Sequence, residues 1–283
     1  MQRDIENYTQ KYLAKDFSDF ESYMVAFRRN KVLEFLRGQK AQNILEVGCG
    51  MESVAKHYKD FKNFVIVEPS NVFVENAQKD FKEDSRIKIL SGFIEDNINE
   101  IQQVVESWGG GGLHCIVLSG LLHEVTNPKQ FLSEILPLLK SDTILHINVP
   151  NAHSFHLLWA YESGLIPQLG ALSATAKSLQ QHTAFTMESL CALVEEVGLE
   201  VIESGSYFLK IFNHAKMSLA LQNGILDEDL LCGLEKMVQY APNLGAEIFV
   251  NVRKTTQINQ SLKLFAIPLR IYLGEMNAFS DCR

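Results

Sequence analysis

Apolar residues fall into two periods along this chain. Short continuous runs at residues 44–47, 64–67, 87–90, 115–118 and 143–149 are bounded by Gly, Ser, Asn or Pro and read as buried strands. Between them, residues 52–60, 71–82, 96–107 and 129–139 carry helix-spaced apolar positions, with Asn71 available as a cap and Pro128 near a first turn. Strand and helix in alternation predict an α/β protein with a parallel, doubly wound sheet. Residues 1–40 read as helical, because Phe20, Tyr23, Met24, Phe27, Val32, Leu33 and Leu36 recur at helix spacing before Gly38. Residues 187–197 form a clear helix capped by Thr186 and closed by Gly198. A sixth strand is expected at 199–204 and a last one at 245–252, with 218–240 helical in two halves about Asp227 and 208–215 open to either reading.

The strand ends concentrate the polar chemistry. The first run ends in Gly48-Cys49-Gly50, where paired glycines let the chain turn tightly and admit a ligand to main-chain atoms. Glu46 lies just before them. The second run ends in Glu68-Pro69, twenty positions after Gly48, where an acid can accept from ribose hydroxyls. The third ends near Phe93, Ile94 and Glu95, and the fourth in Ser119-Gly120. All four loops belong to one sheet edge, the edge at which open α/β sheets bind ligands.

Leu45-Glu46-Val47-Gly48-Cys49-Gly50 resembles the first motif of the class I S-adenosylmethionine (SAM)-dependent methyltransferases. Val67-Glu68-Pro69-Ser70 resembles their second motif, and the stretch from Leu118 to Val125 resembles the fourth-strand motif of ubiquinone-type and sugar methyltransferases. The resemblance covers residues 20 to 254 and implies a Rossmann-like sheet of seven strands with the last antiparallel, N-terminal helices and a helical insertion after the fifth strand. It implies SAM as cofactor, with Gly48 and Gly50 at the methionyl part, Glu68 at the ribose, Glu46 toward the amino group, Cys49 a small residue beside the ligand, and Pro69 among the cofactor-binding residues. Phe93, Ile94 and Glu95 would line the adenine, and Ser119 and Gly120 the methionyl chain. The chain departs from the family pattern at Glu52, Phe93 and His114, where a third glycine, an acid and an Asp are common.

In domain terms, residues 1–40 are an N-terminal helical cap and 41–254 the methyltransferase domain, with a substrate-covering insertion at about 154–185. Residues 255–283 are a C-terminal tail without a clear place in the core. On the cap, Tyr12, Tyr23, Arg28 and Arg29 either reach the ligand or belong to a packing helix with solvated arginines. Gly109 to Gly112 read as a surface loop or a mobile flap.

A net charge of −8 with no basic cluster argues against nucleic acid and anionic membrane as partners and leaves a small-molecule acceptor. No run of apolar residues is long enough to span a bilayer and the N-terminus is polar, so a cytoplasmic location is expected. The five cysteines are scattered without a CxxC pair, which fits a reducing compartment. A homodimer is an expected assembly.

The insertion, rich in aromatic and His residues, suggests a roofed pocket for an acceptor such as a sugar, nucleotide-sugar or other secondary metabolite, methylated on oxygen ahead of nitrogen. A non-catalytic SAM-binding regulator or partner protein, and an NAD-dependent dehydrogenase, are the alternatives. The second would need a glycine at Ser53. Eight histidines compete for the role of general base. His123, His153 and His182, in that order, follow strands or close the insertion on the ligand edge. No metal is expected, since His153 and His156 lack a matched carboxylate.

Overall fold

A computed structural model describes residues 4–14 and 20–255. The tail expected at 255–283 lies outside the described residues from 256 on, as do 1–3 and 15–19 of the N-terminal cap.

Seven strands form one sheet in the order β3-β2-β1-β4-β5-β7-β6. They are β1 (Asn43–Val47), β2 (Asn63–Glu68), β3 (Ile87–Ser91), β4 (Cys115–Ser119), β5 (Ile144–Pro150), β6 (Leu199–Tyr207) and β7 (Glu247–Lys254). The first five pair in parallel, and β7 runs antiparallel between β5 and β6. β6 therefore points the same way as β5, and its C-terminal end joins the same edge as the other loops.

Side chains alternate across the strands, so each run feeds two cores. Leu45, Val47, Val65, Val67, Ile116 and Leu118 face one way, against α4 (Ile94–Ser107), α5 (Pro128–Ile135) and α8 (Met187–Glu196). Ile44, Phe64, Ile66, Cys115 and Val117 face the other way, against the C-terminal half of α2 (Phe20–Gly38) and α3 (Asn71–Asp80). Each fully buried Leu, Ile or Phe here contributes about 1.5–3 kcal/mol. A third cluster joins Phe20, Met24 and Phe27 of α2 to Tyr207, Phe208 and Phe249, and to α9 (His214–Gln222) and α10 (Glu228–Lys236). One helix thus packs both on the sheet and on the C-terminal helices.

Three local expectations change. Residues 52–60 form only a single 3-10 turn, Val54–Lys56. The Ser53 hydroxyl accepts from Ala55 N at 3.1 Å and the Glu46 carboxylate from Val54 N at 3.0 Å, so side chains satisfy the N–H groups that a longer helix would have used. Asn71 is the first residue of α3 rather than its cap, which is Ser70. The fourth helix stops at Ile135 and continues as a 3-10 turn, Leu136–Leu138, because Pro137 offers no N–H to extend the α pattern. Asp227 does cap α10, accepting from Leu230 N at 2.9 Å. Residues 208–213 are a loop leading into α9.

After β5 the chain forms α6 (Phe155–Glu162) and the short α7 (Ala174–Ser178) before rejoining α8. α1 (Ile5–Leu13) lies across this insertion. Asp4 and Gln180 exchange two hydrogen bonds, at 3.0 and 2.8 Å, and Lys11 Nζ donates to the Ser178 carbonyl at 2.9 Å. On its other side the Thr9 hydroxyl donates to Ser70 Oγ at 2.8 Å, so α1 also reaches the loop after β2.

Candidate active site

A cavity of about 1070 Å³ opens at the C-terminal ends of the parallel strands. That lies just above the roughly 300–1,000 Å³ usual for ligand sites, and provides room for a cofactor and a second molecule. Its floor is the loop Gly48-Cys49-Gly50. Gly48 and Gly50 have φ of +77° and +57°, in the left-handed region that glycine adopts without steric penalty. A Cβ placed on Gly50 meets no atom within 4 Å, so the face of the loop is open to the cavity.

Glu68, at the end of β2, ties this floor to its wall. Its carboxylate accepts from Gly50 N at 3.2 Å and from Ser70 N at 2.8 Å. It is buried, and burial pushes its pKa up against those backbone bonds. The Cys49 thiol is pushed far up as well, by burial first and then by the two neighbouring carboxylates, so it is no nucleophile.

Glu46 also lines the cavity, but its oxygens already accept from the Ser53 hydroxyl and Val54 N. Burial raises its pKa to about 7. A carboxyl with a folded pKa above its unfolded value of roughly 4.3 binds its proton more tightly when folded. Stability from this group is therefore fully present at low pH and declines as pH rises from about 4 to about 7. Glu46→Gln keeps an acceptor for Val54 N and replaces the oxygen that accepted from Ser53 with an amide that can donate to its hydroxyl, and is expected to flatten this decline. Urea unfolding at pH 5 and pH 8 should show the variant more stable at the higher pH by on the order of 2 kcal/mol. Parallel pH profiles for the two proteins would exclude the assignment.

On the next strand, Gly120 has φ of +64°, and its N–H is fixed by Asn148, with 2.7 Å to the side-chain oxygen. The Asn148 amide also donates to Ser119 Oγ at 3.1 Å and to His146 Nε2 at 3.2 Å. His146 Nδ1 meets Asn251 Oδ1 at 2.7 Å, and Asn251 donates to Glu203 at 2.7 Å. Burial pushes the His146 pKa down to about 4, so a neutral ring sits in this chain beneath the Ser119-Gly120 turn.

α2 supplies a cation. Arg28 Nε lies 3.1 and 3.0 Å from the two Glu247 oxygens, with a further short bond from the other end of the guanidinium. The Tyr207 hydroxyl donates to the same buried carboxylate. A Cβ on Gly120 would stand 3.5 Å from the Arg28 side chain, so that turn and α2 are in close approach. Tyr12 and Arg29 line the cavity too, Arg29 paired with Glu52 at 2.9 Å, whereas Tyr23 packs with the third cluster.

Gly48, Cys49, Gly50, Glu68, Pro69, Ser119 and Gly120 all line the one cavity, together with His123. Phe93, Ile94 and Glu95 do not: Phe93 precedes α4, Ile94 is buried in the sheet core, and Glu95 is exposed. His153 and His182 are exposed and do not line it either. His153 is turned outward by the tight bend in which its N–H donates to Asn151 Oδ1 at 2.9 Å. The N–H of His182 donates to the His123 carbonyl at 2.9 Å, which pins the end of the insertion to the β4 loop while its ring faces solvent. Two other histidines line the cavity instead, His156 on α6 and His214 at the start of α9, with Lys210 between them in sequence. Sequence periodicity gave no signal for either, since His156 lies on a helix apolar all round and His214 in a stretch with no period of its own. Among the described residues no three His, Cys, Asp or Glu side chains stand together as a metal site, and no helix is long and apolar enough to cross a membrane.

The geometry is that of a nucleotide-type site at the switch point of an open sheet, with a roof. The family profile described as "Methyltransferase domain" matches residues 20–204. Among solved structures, a SAM-dependent methyltransferase from Thermotoga maritima, titled a possible histamine N-methyltransferase, aligns with a TM-score of 0.53 at 16% identity, over 89% of this chain and 99% of that one. The plantazolicin methyltransferase BamL, solved with S-adenosylhomocysteine (SAH) and a substrate analogue, aligns at 0.52 and 15% identity, over 89% and 96%. A Haloferax volcanii putative methyltransferase, solved with the Trm112 activator, aligns at 0.53 and 12% identity, over 90% and 100%. No curated protein sequence matches. These likenesses establish a shared fold, and the profile covers more than half of the chain. The protein belongs to the methyltransferase-domain family, within the class I SAM-dependent methyltransferases, and SAM is its cofactor. The dehydrogenase alternative falls with this: Ser53, where a third glycine would be needed, caps the 3-10 turn.

The residues present fit that cofactor. The open glycine loop offers main-chain atoms, and Glu68 offers a carboxylate at the position suited to a ribose diol.

Proposed function

We propose that this protein transfers a methyl group to an oxygen, less readily to a nitrogen, of a small-molecule acceptor such as a sugar, nucleotide-sugar or other secondary metabolite. The observation that carries this reading is a single cavity that joins the glycine loop to a second half beneath α1, α6 and α9. A pocket of this size suits a small molecule, and the absence of a basic cluster in an acidic chain disfavours nucleic acid. In this reading Gly48 and Gly50 receive the methionyl part of SAM, Glu68 the ribose hydroxyls, and Ser119 and Gly120 the methionyl chain. The bound sulfonium supplies an electrophilic methyl group. The protein's own task is then to exclude water, align the acceptor and take up its proton.

His123 is the proposed base. It lines the cavity just after the Ser119-Gly120 turn, with Nε2 3.9 Å from Glu124. His153 and His182 stay as lower-ranked candidates, to be compared in the same assay.

The test is transfer of a radioactive methyl group across a metabolite panel, followed by His123→Ala. Turnover should fall about 10²–10⁴-fold, the usual contribution of a general base, with SAH affinity unchanged. Near-normal turnover in the variant would remove His123. Tight SAM binding without transfer to any acceptor would favour the non-catalytic alternative.

A further inference from the structure

Among the described residues, three Lys or Arg side chains line the cavity: Arg28, Arg29 and Lys210. Arg28 is bonded to Glu247 and Arg29 to Glu52. Lys210 is different. Its ammonium lies over the Phe20 ring, 5.3 Å from the centroid, and among the described residues no carboxylate comes within ion-pair distance of it. Glu21 and Glu247 act on it only from further away.

The backbone that presents Lys210 is built for the purpose. Phe208, fully buried, has φ of +57°, a left-handed conformation unfavourable for a bulky residue. Its carbonyl accepts from Ala246 N at 2.7 Å and from Lys210 N at 3.0 Å, and Leu209 N is held by the Leu234 carbonyl at 3.0 Å. Strain of this kind persists where surrounding structure enforces it, and it collects at ligand sites. Here it turns the chain sharply at the end of β6 and sends Lys210 back to the cavity wall.

Burial lowers the Lys210 pKa to about 8, and the same burial, aided by the Lys210 charge, pushes neighbouring His156 down to about 3. The pair is thus one cation beside one neutral imidazole. Such a pair can offer a charged and a neutral hydrogen bond to a single anionic group.

Sheet order fixes where this happens. β6 is three strands from β4, so the Lys210 loop leaves the sheet roughly 14 Å from the Ser119-Gly120 turn. An anionic group held at that loop is remote from chemistry at the Ser119-Gly120 turn.

We propose that Lys210, with His156 beside it, is an anion subsite for the methyl acceptor, and that the acceptor carries a carboxylate or a phosphate remote from the atom that is methylated. This rests on the reading of the cavity as a joint SAM and acceptor site.

The full chain saturated with SAH is titrated calorimetrically with inorganic phosphate in one arm and benzoate in the other. In parallel, Lys210 is followed by NMR after reductive ¹³C-methylation. One of the two anions is expected to bind and to raise the Lys210 pKa. Lys210→Met should weaken that anion at least tenfold, and Lys210→Arg should hold it within about threefold of wild type, while both variants keep wild-type SAH affinity. The arm that responds tells a carboxylate acceptor from a phosphorylated one. SAH binding with no response to either anion, or equal anion binding in Lys210→Met, would overturn the inference and leave the cofactor reading standing. A Lys210 resonance unmoved by a bound anion would overturn it in favour of a proton-transfer role for the amine. Failure of SAH to bind wild type would defeat the underlying reading and this inference with it.

Discussion

Glu68→Ala is expected to weaken SAH binding about a hundredfold by calorimetry. A hydrogen bond to a charged group is worth about 1.5–3 kcal/mol, and two ribose hydroxyls would meet this carboxylate. Roughly 3 kcal/mol corresponds to that factor in affinity. The variant also releases Gly50 N and Ser70 N, which Glu68 holds in place before any ligand arrives. Glu68→Gln keeps one acceptor oxygen and should lie between, near tenfold. Burial raises the carboxylate's own pKa, yet Glu68→Ala leaves two backbone N–H groups without their acceptor, so it should also lower stability by about 1–3 kcal/mol, and Glu68→Gln by less. Unchanged SAH affinity in Glu68→Ala would remove the ribose assignment.

Arg28→Met carries the second large effect, on stability. It leaves the buried Glu247 carboxylate with the Tyr207 hydroxyl and without a cation. Breaking a buried pair from one side costs about 3–5 kcal/mol. The Arg28 side chain keeps 25% exposure on the cavity side, which places the expectation at the lower figure. About 3 kcal/mol lowers the unfolding midpoint by roughly 6–12 °C in a domain of this size. Arg28→Met combined with Glu247→Gln removes both charges and should recover most of the loss, because the penalty lies in the orphaned carboxylate rather than in the missing bond. A single variant that melts within 2 °C of wild type would show that the pair is not what joins α2 to β7.

Much of the sheet was legible because its strands are buried on both faces, and continuous runs such as Phe64-Val65-Ile66-Val67 have no helical alternative at that length. The glycine-loop half of the cavity was legible for a related reason: Gly48, Gly50, Glu68 and Gly120 lie at or just after strand ends, so a correct strand places them. The rest depends on long-range packing. The 3-10 turn after Gly50 is set by Glu46 and Ser53, seven residues apart, and no period reports such a bond. His156 and Lys210 come together only because β6 passes β7 and returns to the common edge. His153 and His182 follow the same edge in sequence, yet their rings turn outward, a matter of side-chain direction within a bend. Phe208 was ambiguous for a physical reason as well: its backbone adopts a conformation that a Phe rarely takes, so propensity has nothing to say about it.

The contacts of α1 bear on more than shape. Its residues Ile5, Tyr8 and Tyr12 line the cavity, while Thr9 holds the loop after β2 and Lys11 and Asp4 hold the insertion. A helix of nine residues has little stability of its own in water. Its seating therefore rests on these contacts, and a ligand that touches it only when seated would add to them. Reciprocity then requires that whatever steadies α1 tightens the ligand by the same factor. For any ligand that touches α1, occupancy of the pocket and seating of the helix are two readings of one free energy.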